Sequence, residues 1–164
     1  MLTNISLSAL LSLFCLLGLA FGVYLEHSVG LHPCPLCWVQ RFFYGTAGLC
    51  FAWTAWRASK AALWGGIVSV FLGGAVAAQQ IHIQSMLNPP SCTAGIEYLF
   101  ATFPLWEFML VLLRGTADCA EVTWRFLGLS LAEWSLGAFG VLLLGGLYVL
   151  SSQGYAGKAE LTHK

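Results

Sequence analysis

The chain has 164 residues, 59% of them hydrophobic and only 9% charged, with a mean hydropathy of +0.79. This composition excludes the mixed surface of an ordinary soluble domain and points to a membrane protein. Seven Lys and Arg balance seven Asp and Glu, so no basic field suggests nucleic acid and no acidic tail suggests a cationic partner.

Four apolar runs approach the roughly 20 residues needed to cross a bilayer, and they predict spans at about 5–25, 38–56, 61–82 and 134–151. The expected architecture is an all-α membrane protein, a four-helix transmembrane bundle forming one integral domain over residues 1–164. The first run lacks a basic leader and a clear small-x-small cleavage site, so it reads as a retained span rather than a secretion signal. The second and fourth runs gain length if Trp38 to Arg41 and Trp134 to Ser135 begin their helices at the interface, where Trp is favoured and Arg can snorkel to water. Gly18 and Gly22 on the first span, and Ser69, Gly73 and Ala77 on the third, form ridges of small residues that let membrane helices approach closely.

Arg57 and Lys60 lie between the second and third spans, and Lys158 and Lys164 follow the fourth. The basic-residue bias makes that side cytoplasmic, with both termini inside. Two loops, about 26–37 and 83–133, then lie outside. Residues 98–113 of the second loop are apolar enough to resemble a further crossing. Pro104 removes a backbone donor, however, and Glu107 would cost about 2.5–3.5 kcal/mol near the bilayer centre. A short aromatic helix lying in the outer interface fits better.

Six cysteines divide by location. Cys15 and Cys50 fall within spans and read as small apolar residues. Cys34, Cys37, Cys92 and Cys119 share the outer compartment, where disulfides persist if it is a periplasm or similar lumen. The stretch HPCPLCWVQR, residues 32–41, places a C-x-x-C at the mouth of the second span. With Cys34 as N-cap and Pro35 at the first helical position, free backbone donors and the positive helix end surround both sulfurs and favour thiolate. Arg41 lies one turn beyond Cys37 on the same face, where its cation can stabilise a thiolate and polarise the carbonyl of a lipid-soluble electron acceptor. A bridge between Cys92 and Cys119 would close a long loop. The turn-prone Asn88, Pro89, Pro90 and Ser91 before Cys92 favour an exchangeable disulfide over a structural staple. His82 and Gln84 end the third span near the expected level of Arg41, and either can donate to a ligand carbonyl. His27 and His32 read as solvated loop residues.

At HPCPLCWVQR, NPPSC and DCAEVTWRFLGLSLAEW, the chain resembles the DsbB family of disulfide bond formation proteins over nearly its whole length. The resemblance implies a bacterial inner-membrane thiol:quinone oxidoreductase. In that family a periplasmic loop disulfide oxidises a soluble thioredoxin-fold partner of the DsbA type, and ubiquinone, or menaquinone without oxygen, takes the electrons. Carried over, Cys92 forms the mixed disulfide with the partner and Cys119 is its bridge mate. Cys34 and Cys37 are the quinone-coupled pair with Cys37 nearest the ring, and Arg41 matches the quinone-proximal arginine. The polar contact from the third span stays open between His82 and Gln84, and Gln40 stands where some relatives carry Glu. Two other readings compete: a membrane zinc protein using the four outer cysteines, although Cys92 and Cys119 lack the close spacing of a usual zinc pair, and a structural or transport tetraspan protein with staple disulfides.

Overall fold

The computed structural model describes residues 2–30, 34–86, 119 and 125–161. Four long helices dominate these residues: α1 (Leu2–Val29), α2 (Pro35–Arg57), α3 (Lys60–Gln84) and α4 (Leu131–Leu161), with a two-stranded hairpin of β1 (Arg125–Phe126) and β2 (Leu129–Ser130) leading into α4. Three of the helices, α1, α3 and α4, are long and apolar enough to cross a membrane. The other, α2, carries more polar residues, and two of them, Gln40 and Thr54, are buried against its neighbours. Large apolar side chains such as Leu16, Leu17, Leu49, Phe71 and Leu144 instead point outward. That inversion suits a lipid surround.

The joint between α2 and α3 is only two residues long. Ala58 ends α2 in the left-handed conformation, its N–H bonding the Thr54 carbonyl, and Ser59 caps α3 by accepting from the Ala62 N–H. Such a short joint forces the helices antiparallel. Gln40 lies 17 residues before the end of α2 and Gln80 lies 20 after the start of α3. At 1.5 Å per residue these are about 26 and 30 Å from the joint, so the two glutamines reach the same end.

The fourth helix starts three residues earlier than the predicted span, for a local reason. Ser130 and Glu133 make a reciprocal cap: the Ser130 N–H donates to Glu133 Oε2 (2.6 Å), and the Glu133 N–H donates to Ser130 Oγ (3.4 Å). Ahead of it, Leu127 and Gly128 both take positive φ, as the right-handed twist of a two-residue hairpin demands. Trp134 Nε1 ties α4 to the hairpin through the Phe126 carbonyl (3.1 Å).

Helix α2 packs against α1 and α3, and α4 packs against α3 and α1. Their shared core contains Leu11, Cys15, Tyr44, Phe51, Leu63, Ile67 and Leu142, and Tyr44 stacks on Phe139 with ring centroids 4.2 Å apart. Cys15 is fully buried and its Cβ sits where α1 and α2 approach at Gly48, in agreement with a packing role. The ridge on α3 is equally tight. A methyl group at Gly73 would collide with the Phe139 ring and lie 3.0 Å from Phe43 Cβ. Gly73→Ala is therefore expected to lower stability by about 1–3 kcal/mol, outweighing the roughly 1 kcal/mol helix preference of Ala over Gly. Thermal unfolding in detergent followed by circular dichroism checks this. Gly140→Ala, which meets open space, should be neutral or slightly stabilising.

Candidate functional site

The chain enters α2 as the sequence predicts: Cys34 is the N-cap in extended conformation, Pro35 follows in the first turn, and Cys34 Sγ accepts the Cys37 N–H at 3.3 Å. This geometry brings the two sulfurs to 2.6 Å. Cys34, Leu36, Val76, Ile83 and Cys119 form a buried cluster separate from the main core, with half-buried Cys37 against it. Cys119 is fully buried and in hydrogen-bonding contact with Cys34. A cysteine 85 positions downstream thus meets the helix-mouth pair.

The two sulfurs of the C-x-x-C are not equivalent. The Cys34 thiol is pushed up, first by its hydrogen bond with Cys119, then by that with Cys37, and then by burial. The Cys37 thiol is brought down to about 7, first by the hydrogen bond from Cys34 and also by Gln80, against the opposing effect of burial. The expectation that the helix end favours thiolate at both sulfurs is corrected here. Two sulfurs this close cannot both ionise, so one keeps the proton and donates it to the other.

A chain of side chains from three helices ends on this pair. Ser135 Oγ donates to Gln40 Oε1 (2.7 Å), Gln40 Nε2 donates to Gln80 Oε1 (2.7 Å), and Gln80 Nε2 reaches Cys34 Sγ at 3.4 Å and Cys37 Sγ at 3.6 Å. Both glutamines are buried. On the other flank, Arg41 Nη1 makes an ion pair with Glu26 (2.6 Å), Nη2 donates to the Gly22 carbonyl (3.0 Å), and the guanidinium lies 5.3 Å from the Trp38 ring centroid.

The sequence profile of the family described as "Disulfide bond formation protein DsbB" matches residues 4–149. The chain belongs to the DsbB family. Among its relatives is disulfide bond formation protein B of Azoarcus sp., 39% identical over 145 residues that cover 84% of this chain and 86% of that protein. The protein of the same name from Marinobacter nauticus is 38% identical over 148 residues, covering 86% and 88%. Disulfide bond formation protein B 1 of Pseudomonas aeruginosa is 40% identical over 134 residues, covering 77% and 82%.

In this DsbB-family chain the predicted site residues fall into four groups. Cys34, Cys37 and Cys119 are brought together. Cys92 and the interfacial segment 98–113 lie outside the described residues. Arg41 lies one turn beyond Cys37 on α2, but its fork is turned onto α1, so Gly22 of the predicted small-residue ridge serves as its seat. On α3, His82 is exposed and Gln84 half-buried, and the residue that reaches the sulfurs is Gln80. Sequence reasoning missed it. A signal existed: the ridge Gly73, Ala77 continues in helical step to Gln80, a polar residue on the face that packs.

Proposed function

We propose that this chain is a four-span inner-membrane protein-dithiol:quinone oxidoreductase. Both termini are cytoplasmic, the redox loops are periplasmic, and the protein keeps a DsbA-type thiol oxidase in its oxidised form. The observation that carries the reading is the meeting of Cys119, from the second outer segment, with the Cys34–Cys37 pair in one buried cluster.

The steps follow from thiol chemistry. A thiolate of the reduced partner attacks Cys92 of a Cys92–Cys119 disulfide, forming a mixed disulfide and releasing Cys119 as thiolate. The partner's second thiol displaces Cys92, so the partner leaves oxidised and two electrons remain on Cys92 and Cys119. Cys119 next attacks Cys34 of an oxidised Cys34–Cys37 pair, to which it is adjacent, and Cys37 departs. Cys37 is the better leaving group because its thiol is the one held low. Cys92 then closes on Cys119, leaving Cys34 and Cys37 reduced.

A membrane quinone, ubiquinone or menaquinone, supplies the capacity to accept two electrons and two protons, which restores the Cys34–Cys37 disulfide. The residues present suit such a group. Trp38 and Phe42 expose an aromatic face of α2 beside Cys37. Arg41 carries five N–H donors, of which those given to Glu26 and Gly22 are only part.

The test is quinone absorbance in purified full-length protein supplied with a reduced thioredoxin-fold dithiol. Quinone should be consumed one-for-one with dithiol oxidised. Dithiol oxidation that stops after the protein's own disulfides are spent, with quinone unchanged, would refute the relay.

A further inference from the structure

We propose that Gln80 is a catalytic residue of the cysteine pair, donating its side-chain N–H to the sulfur that ionises, and that Gln40 and Ser135 are positioning residues that set the direction of its amide. The proposal rests on reading Cys34 and Cys37 as a redox pair. An amide has a donor at one end and an acceptor at the other, so in a buried chain the direction of each group fixes the next. Here Gln80 Oε1 accepts from Gln40 Nε2 at 2.7 Å, with the Cys37 sulfur a longer 4.0 Å from that oxygen, and the Gln80 NH2 faces Cys34 and Cys37 at 3.4 and 3.6 Å. The Ser135 hydroxyl, bonded to Gln40 Oε1, works in either sense. The sulfurs therefore select the direction: a thiolate requires N–H, whereas a thiol accepts the reversed chain with the Gln80 carbonyl toward it.

Among the described residues, the titratable groups facing Cys37 are Cys34 and Cys119. The Arg41 charge is engaged by Glu26 on α1, His82 of α3 is exposed, and Glu133 of α4 is bound to Ser130. No other charge in this set takes the place of the Gln80 donor. Gln40→Glu is then informative, because a carboxylate only accepts. It would draw the Gln80 NH2 toward itself and leave the carbonyl against the sulfurs.

The experiment is site-resolved alkylation of Cys37 by iodoacetamide against pH, in the reduced full-length protein in nanodiscs, without quinone or partner. The unsubstituted protein should show a midpoint near pH 7. Gln80→Leu should raise the midpoint and slow alkylation at neutral pH about tenfold, the effect of losing one hydrogen bond to a charged group. Gln80→Asn should retain part of the effect. Gln40→Glu should raise the midpoint with Gln80 still present, which keeps the test decisive if Gln80→Leu fails to fold. An unchanged midpoint in folded Gln80→Leu, or an unchanged or lower one in Gln40→Glu, overturns the proposal. Because the assay contains no quinone, failure of the relay would appear separately, as shifted midpoints in a protein that does not reduce quinone.

Discussion

Cys119→Ala is expected to leave Cys92 able to form a mixed disulfide with a thioredoxin-fold partner activated at its reactive cysteine but unable to oxidise a reduced partner, with turnover falling on the order of a thousandfold or more, as for loss of a covalent participant. With Cys119 gone, Cys92 has no bridge mate. Its thiolate can still displace thionitrobenzoate from a single-cysteine partner activated as the thionitrobenzoate mixed disulfide, and that adduct persists because neither Cys119 nor a second partner thiol is present to displace it. Cys92→Ala should accumulate little adduct, since Cys119 is fully buried beside Cys34 and shielded from a soluble protein. Removing Cys119 also deletes the largest influence that holds the Cys34 thiol up. Cys34 should therefore react faster with a small alkylating agent at mildly alkaline pH, even as turnover is lost. Non-reducing gels for the adduct and site-resolved alkylation check both halves. Equal trapping by Cys119→Ala and Cys92→Ala would undo the division of roles in the loop pair.

Arg41→Ala should slow quinone reduction by about ten- to a hundredfold, mainly through weaker apparent quinone affinity, as expected for a lost charged hydrogen-bond donor worth about 1.5–3 kcal/mol. Single-turnover oxidation of the partner should change little, because the loop pair acts before the step that Arg41 serves. The substitution also removes the ion pair with Glu26. The two side chains are 18% and 29% exposed and joined at 2.6 Å, so losing this partly buried ion pair should lower stability as well. Arg41→Lys should be milder: an ammonium keeps the pairing with Glu26 but cannot also hold the Gly22 carbonyl and present a planar fork. Glu26→Gln separates the two effects, since it keeps the guanidinium and removes its counter-charge. Quinone kinetics at varied quinone concentration, beside thermal unfolding, distinguish them. Unchanged kinetics in Arg41→Ala would reduce the residue to a clamp between α1 and α2, and the quinone contact would have to be sought near His82 and Gln84.

Several features were legible in the sequence because they depend on short-range chemistry or on composition. Hydropathy marks α1, α3 and α4 outright, since an apolar run in lipid must satisfy its backbone internally, whereas α2, with more polar residues, gives a weaker signal. The Cys34 cap followed by Pro35 is written in adjacent residues and needs no distant partner. Helix rotation and long-range pairing were decided only by the tertiary structure. His82 and Gln84 stand near the end of a hydrophobic run, as a ligand contact should, yet Gln80 differs from His82 by two residues, about 200° around the helix, and faces Val76, Ala77 and Ile83 on the buried side. Ser135, Gln40 and Gln80 are separated by tens of residues, and a polar side chain in an apolar helix reads the same whether it meets headgroups or another helix. Their chain exists because the two-residue joint returns α3 alongside α2 and the Ser130–Glu133 cap sets where α4 begins. The unequal acidity of Cys34 and Cys37 likewise needed the fold. The motif gives both sulfurs the same helix end, and only the approach of Cys119 to one and the Gln80 contact assign the proton to Cys34 and the low pKa to Cys37.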